Sequence, residues 1–282
     1  MGNKNIGVDS ITGEIIEGAV VITPEQQDAY NKHKIKKATI EANSDKKTFS
    51  FQKMDKMKGV DCLLTLKQWG YFCVLSSYID YDNMLKMAPK SKVPMTQKEM
   101  RGILKISKQD TLRTLLKTLK ENKLLIEKKI IVYGTERTAF FLSSDLIFKK
   151  SVVSRKSGKN TAKIWTDSVK DIYEDSKVTL TDLGFIFKVI PYLNVYHNFL
   201  THNIDEEDPS KDTAITQADL ASILGIDKAT VTKKIRQTKW NDMFVFAIVT
   251  VNGVQSIKMN PLVAYRKVGE PNVASYAEFF LK

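Results

Sequence analysis

Apolar residues at helical spacing predict a pair of short helices in the carboxyl-terminal half of the chain. The first helix begins after Thr216, a favourable amino-terminal capping residue, carries Leu224 on its apolar face and ends at Gly225. Asp227 is placed to cap a second helix that runs to about Gln237. The pattern is therefore typical of a helix-turn-helix.

A β-rich stretch follows this helix pair. Val231 and Ile235, four positions apart, direct one face of the second helix inward. The runs 243–251 and 254–260 are separated by Asn252-Gly253, the strongest two-residue hairpin signal. A helix-turn-helix followed by a β-hairpin indicates a winged helix.

A similar pattern occurs earlier in the chain. Residues 64–81 are LTLKQWGYFCVLSSYIDY and residues 178–195 are VTLTDLGFIFKVIPYLNV, so that Gly70 aligns with Gly184. Further matches follow at a slightly longer shift. We therefore predict a mainly α-helical α+β fold with small β-hairpins, built of two tandem winged-helix domains related by internal duplication.

The amino-terminal copy departs from the pattern in its helix pair. Arg101 stands where the other copy has Ala221, and Lys105 replaces the turn residue Gly225. Its hairpin is predicted to turn at 134–137. The apolar face of its second helix is displaced by one position and consists of Leu112, Leu115, Leu116 and Leu119.

These elements divide the chain into five segments. They are an amino-terminal hairpin and basic extension (1–58), a first winged-helix domain (59–148), a basic linker (149–163), a second winged-helix domain (164–268) and an aromatic segment (269–282). The hairpin is predicted over 8–22, and the Lys-rich stretch 32–58 is expected to be partly mobile. The linker has six basic residues and no acidic one, as in a solvated connector or a strap along a phosphate backbone. The aromatic segment either packs on its own domain or pairs subunits.

Charge narrows the choice of partner. The chain has 44 Lys and Arg against 32 Asp and Glu, a formal net charge of +12. Such a positive field attracts polyanions, which makes nucleic acid the first partner to consider and an anionic membrane the second. Because the chain lacks both a run of about 20 apolar residues and a signal-peptide core, we expect a cytoplasmic protein that does not enter membranes.

Side chains outside the apolar face of each second helix, together with basic residues nearby, are the candidate DNA contacts. Lys and Arg reach guanine acceptors or phosphates, and Ala and Thr contact the thymine methyl group. The carboxyl-terminal candidates are Gln217, Lys228, Ala229, Thr230, Thr232, Lys233, Arg236 and Lys258. The remaining candidates are Lys108, Gln109, Arg113, Thr114, Lys117, Arg137, Arg155 and Lys156. Whether the amino-terminal copy contacts DNA or pairs with a second subunit stays open.

The carboxyl-terminal copy resembles the RepL-type plasmid replication proteins. The resemblance is carried by ITQADLASILGIDKATVTKKI, by SIKMNPLVAYRKVG and by the amino-terminal DSITGEIIEG. It implies DNA binding in plasmid or phage biology, at an origin or at a promoter. A looser similarity is to MarR-like regulators, which are single-module dimers.

Motifs for enzyme chemistry are missing from the sequence. The minimal patterns for nucleotide hydrolysis, zinc proteolysis and esterase activity do not occur. His197 and His202 precede the acidic stretch 205–208, and together they are either a divalent-cation site or, as we favour, part of a solvated loop. Cys62 and Cys73 are expected to be plain buried thiols.

The sequence thus predicts a sequence-specific double-stranded-DNA-binding protein that is not an enzyme and needs no cofactor or metal. An origin-binding replication initiator is favoured, and the alternatives are a transcriptional regulator and a protein-binding adaptor. The expected partners are double-stranded DNA, a second copy of the chain, and host replication or transcription proteins.

Overall fold

The structure, a computed structural model, describes residues 6–8, 15–17, 48–150, 160–175, 177–240, 242–251, 253–267, 271 and 278–280. Residues 1–44 and 45–282 form two compact units. In the smaller unit, β1 (Ile6–Val8) pairs with β2 (Ile15–Glu17) in an antiparallel hairpin. The predicted amino-terminal hairpin is confirmed, although it begins before residue 8.

Within its described residues the larger unit contains eight α-helices and ten strands. The helices are α1 (Met54–Val60), α2 (Leu66–Ser76), α3 (Gln97–Ile103), α4 (Gln109–Glu121), α5 (Thr166–Glu174), α6 (Leu180–Val189), α7 (Gln217–Leu224) and α8 (Lys228–Gln237). The strands are β3 (Phe49–Lys53), β4 (Leu125–Val132), β5 (Thr135–Leu142), β6 (Ile147–Phe148), β7 (Thr161–Trp165), β8 (Lys239–Trp240), β9 (Met243–Phe244), β10 (Phe246–Val251), β11 (Val254–Met259) and β12 (Ala264–Tyr265).

A four-stranded antiparallel sheet lies at the centre of this unit, in the order β12-β7-β3-β6. Strand β3 precedes the first helix pair in the chain and β7 follows it, yet they are neighbours, with Phe51 opposite Lys163. The buried Gln52 donates a hydrogen bond from Nε2 to the Phe187 carbonyl at 3.1 Å, which fastens the sheet to α6.

Helices α2 and α6 cross at two glycines. A Cβ on Gly70 would lie 2.0 Å from the carbonyl oxygen of Leu180, and one on Gly184 would lie 1.8 Å from that of Leu66. Any side chain would therefore force the helix backbones apart. Near this crossing the fully buried Trp69 of α2 stacks on the ring of Phe187 of α6.

The prediction of a mainly α-helical chain with two tandem winged-helix domains related by duplication is wrong. The α+β class in that prediction is compatible with the structure, in which several small antiparallel sheets accompany the helices. Because β3 pairs with β7 and α2 crosses α6, the two predicted domains share one sheet and one core and form a single compact unit.

The separation into two domains was predicted largely because residues 149–163 have the composition of a linker, and parts of that segment belong to the folded unit. Its last residues form β7, in which Ala162 and Ile164 are buried. At its start, Lys149 is buried and lies over the Tyr81 ring. Residues 151–159, which include Arg155 and Lys156, lie outside the described residues.

Several local expectations also need correction. The end of the Lys-rich stretch 32–58 forms β3 and most of α1, and residues 32–47 lie outside the described part. Cys62 is exposed, whereas Cys73 is buried as expected, and this burial raises the pKa of its thiol to about 12. The hairpin β4–β5, whose turn was predicted at 134–137, turns at Tyr133 and Gly134, and both residues have a positive φ.

The run 243–251 is divided between two strands. Its first residues form β9, which pairs with β8, and the remainder forms β10, which pairs with β11. From the aromatic segment, Phe279 is fully buried against Phe244 and Ala247. This residue packs on its own unit, one of the two alternatives drawn from the sequence.

Candidate nucleic-acid interface

The caps predicted for α7 and α8 are confirmed. Thr216 and Asp219 form a capping box, and hydrogen bonds from Thr216 lower the pKa of the Asp219 carboxyl. Gly225 ends α7 with a φ of 65°, a left-handed conformation that suits glycine. Asp227 caps α8 by accepting a hydrogen bond from the Thr230 amide at 2.7 Å. Side-chain and backbone hydrogen bonds from Thr230 lower the pKa of Asp227.

Helix α8 has a narrow buried face and a basic outer face. Val231 and Ile235 are buried, as the sequence predicts. Between its first residue, Lys228, and its last, the helix contains no acidic residue. The exposed candidates are Lys228, Ala229, Lys233 and Arg236, with Thr230 and Thr232 half-buried beside them.

Two candidates contact each other and hold α7 against α8. Thr232 donates a hydrogen bond from Oγ1 to the side-chain oxygen of Gln217 and lies 2.8 Å from the Lys228 carbonyl. These polar groups are therefore already engaged within the helix pair, so their first role is to fix its geometry.

Lys234 was not predicted to matter and proves to be the polar anchor of α8. Its ammonium is buried and donates to Asp182 Oδ1 at 2.7 Å, at the start of α6. Burial raises the pKa of Asp182, but hydrogen bonds from Lys234 and Thr179 and the charge of Lys234 outweigh it, and the pKa is lowered. The signal available in the sequence is a lysine on the inward face of a helix, next to Ile235.

Lys258 does not belong to an exposed basic surface. Its side chain is 12% exposed and forms an ion pair with Glu278 at 2.8 Å. The ammonium also lies over the Phe199 ring. This lysine therefore connects β11 to the carboxyl-terminal residues.

Helices α3 and α4 repeat the local geometry of α7 and α8 with other side chains. Thr96 and Glu99 form the capping box of α3, and Lys105 takes the left-handed conformation, with a φ of 51°. The predicted buried face of α4 is confirmed at Leu112, Leu115, Leu116 and Leu119.

The outer face of α4 combines cations with carboxylates. Lys108, Arg113, Thr114 and Lys117 are exposed. Arg113 lies 3.2 Å from Asp110, and Lys117 lies 3.8 Å from Glu121. Gln109 bridges α4 to α3 through hydrogen bonds with Arg101 and Gln97. The positive field of this helix is therefore weaker than that of α8.

The hairpin β4–β5 adds further cations. Arg137 is exposed on β5, and Lys129 on β4 forms an ion pair with Glu136 at 3.2 Å. Both strands thus present charge to solvent near the turn.

The two histidines that precede the acidic loop contact different elements, the loop itself and α7. His197 bonds through Nε2 to the Glu207 carbonyl, and His202 lies 3.8 Å from Asp219. Burial raises the pKa of Asp212 in the same loop. Among the described residues, no group of three His, Cys, Asp or Glu side chains is arranged to hold a metal ion.

No family model, curated protein or solved structure matches this chain. The resemblance to RepL-type replication proteins therefore stays a prediction carried by its motifs. None of the helices in the described part of the chain has the length and apolarity needed to cross a membrane.

Proposed function

We propose that this protein binds double-stranded DNA in a sequence-specific manner and that α8 lies in the major groove. The observation that carries the proposal is the outer face of α8, which combines Lys228, Lys233 and Arg236 with Ala229 on a helix without acidic residues. Arg and Lys can donate to guanine, and alanine can contact a thymine methyl group.

The contacts that hold α8 in place support this role. Base recognition needs a helix held at a fixed angle, and directional bonds give α8 such an attachment through Lys234 and Thr232. The cations of α4 and Arg137 of β5 contact phosphates in this proposal, which positions the protein without reading sequence.

We further propose an origin of replication as the DNA target, on the strength of the RepL-like motifs. The protein acts in the cytosol by binding, without chemistry of its own, and host replication proteins are its partners there. A footprint on repeated sites beside an AT-rich region supports this role, whereas a site that overlaps a promoter makes the protein a transcriptional regulator.

The test begins with selection of bound sequences from a random duplex pool. On the selected site, Arg236→Ala should weaken binding by about 1 to 3 kcal/mol and relax the preference at one base pair. Arg113→Ala on α4 should weaken cognate and random DNA equally, and Lys211→Ala in the acidic loop serves as the control. Affinity should also fall steeply with salt, by about 0.9 in log–log slope for each phosphate contact. Affinity that is independent of salt, or an Arg236→Ala variant that binds like the wild type, would contradict the proposal.

A further inference from the structure

In the part of the chain that the structure describes, one edge of strand β4 has no strand neighbour. Within the described residues, its sheet contains β5 as the other strand. A groove along β4 is lined in part by Lys120, Lys123 and Asp145. An exposed edge of eight residues is an open template for another strand.

Hydrogen bonds on the far side of β5 show which β4 residues face this edge. The Leu142 amide donates to the Asn83 carbonyl at 3.0 Å, and the Phe140 carbonyl accepts from the Leu85 amide at 2.8 Å. Residues 140 and 142 therefore direct their backbone groups away from β4. In an antiparallel ladder their partners do likewise, so Leu125 and Glu127 direct N–H and C=O to the free edge. Because the direction of the backbone groups alternates along a strand, Lys129 and Ile131 also direct N–H and C=O to the free edge.

Apolar side chains accumulate on the same hairpin. Ile131 is 79% exposed, Tyr133 is 77% exposed and Ile126 is 44% exposed. In the other half of the unit, Phe279 packs against Phe244 and Ala247 beside β10. Nothing comparable covers β4 within the described residues.

We propose that a second copy of this chain covers the edge, with β4 pairing antiparallel to β4 of the other copy across a two-fold axis. Symmetry makes the same patch serve on both subunits. With the axis at Lys128, Glu127 lies opposite Lys129 and Ile126 lies opposite Ile130, each pair occurring twice. Only residues that direct backbone groups to the free edge are then hydrogen-bonded to each other, as the ladder requires.

The charge pattern favours this register. Moving the axis to Lys129 would place Glu127 opposite Ile131 and leave the acid without a cation across the interface. In the proposed register Lys128 meets its own copy on the axis, where like charges repel. Its ammonium lies 5.6 Å from the centre of the Phe141 ring, and this contact draws it towards β5.

The first experiment measures the mass of the full chain by sedimentation, without DNA. The wild type should be a dimer at micromolar concentration. Lys129→Pro should give a folded monomer, because proline removes an amide that faces the free edge and leaves the bonds to β5 intact. A wild-type monomer, or a Lys129→Pro variant that is still dimeric, would overturn the proposal.

A charge exchange keeps the test decisive should the proline variant fail to fold. Glu127→Lys and Lys129→Glu should each raise the dimer dissociation constant about tenfold, and the double variant should restore it. Lys128→Thr should tighten the dimer. Absence of rescue, or a weaker Lys128→Thr dimer, overturns the register and with it the proposal.

DNA affinity is measured in parallel on the same variants. This second measurement separates the dimer from the proposed function, because α8 is unchanged in all of them. A monomeric wild type whose DNA affinity falls with Lys128→Thr and with Lys129→Glu would assign the edge to DNA instead.

Discussion

Helices α4 and α8 have the same backbone setting and different means of attachment. Each follows a helix that begins with a capping box and ends at a left-handed residue. Helix α4 buries four leucines and is held to α3 by half-buried hydrogen bonds of Gln109. Helix α8 buries Val231 and Ile235 and adds the ion pair between the buried Lys234 and Asp182. Apolar contacts tolerate small rotations of a helix, and a charged hydrogen bond has a preferred direction. The difference teaches that orientation is specified more strictly for α8.

The comparison assumes that both helix pairs pack on one shared core. A glycine substitution where α2 and α6 cross tests this assumption and should have the largest effect. Gly184→Ala should destabilise the chain by at least about 3 kcal/mol, since the new Cβ would meet a backbone oxygen at 1.8 Å. Urea unfolding followed by tryptophan fluorescence should show one transition for the whole larger unit.

Gly102→Ala is the matched control for this substitution. A Cβ at Gly102, also inside a helix, would have nothing within 4 Å, so this change should stabilise α3 by about 0.5 to 1 kcal/mol. Two separate unfolding transitions, with the first helix pair unaffected by Gly184→Ala, would show that the halves fold independently.

Removing the polar anchor of α8 is expected to have the next largest effect. Lys234→Met should cost about 2 to 3 kcal/mol, because Asp182, whose side chain is 17% exposed, is left without its cation. Lys120→Met breaks an ion pair of the same 2.7 Å length whose side chains are 43% and 37% exposed. That control should cost less than about 1 kcal/mol, and equal losses would remove the distinction between the two attachments.

The same ion pair predicts a dependence on pH. The pKa of Asp182 is lowered in the folded chain, so its contribution is complete above the unfolded value of about 4 and is lost as pH falls through the folded pKa. The stability difference between wild type and Lys234→Met should therefore shrink in acid. Denaturant titrations at several pH values measure it, and a difference that grows below pH 4 would contradict the assignment.

The smallest effect concerns the left-handed residue between the helices of each pair. Gly225→Ala should lower stability by about 1 kcal/mol, because a Cβ is unfavourable at a φ of 65°. Lys105→Gly should raise stability by less than about 1 kcal/mol, since it relieves the same strain and loses an exposed ion pair with Glu174. Thermal unfolding measures whether each substitution raises or lowers stability. A loss of stability for both variants would show that the backbone at Lys105 is not strained.

Local features of the two helix pairs were predictable from sequence. Caps such as Thr216 and Asp227 act within one turn, and apolar spacing identifies the leucine face of α4, so neither needs tertiary information. Of the candidate site, the exposed basic residues of α8 follow from the same spacing.

Features that depend on distant residues were not predictable. Strand β7 begins inside the predicted basic linker and contains Lys163, and its pairing with β3 is what makes it a strand. The two aligned glycines did contain a signal, since a glycine inside an apolar helix often indicates close backbone approach. Lys258 was taken for a DNA contact because Glu278, its ion-pair partner, is remote in sequence.

The pairing of β3 with β7 also determines when the molecule can fold as it is made. Thr48, next to β3, contacts Thr166, which lies 118 positions further along the chain. At about 5 to 20 residues per second, a ribosome needs roughly 6 to 24 seconds to add that length. During this interval β3, which contains two phenylalanines, has been synthesised and its partner β7 has not been completed. The β3–β7 pair, and with it the sheet that both halves share, can therefore form only late in synthesis.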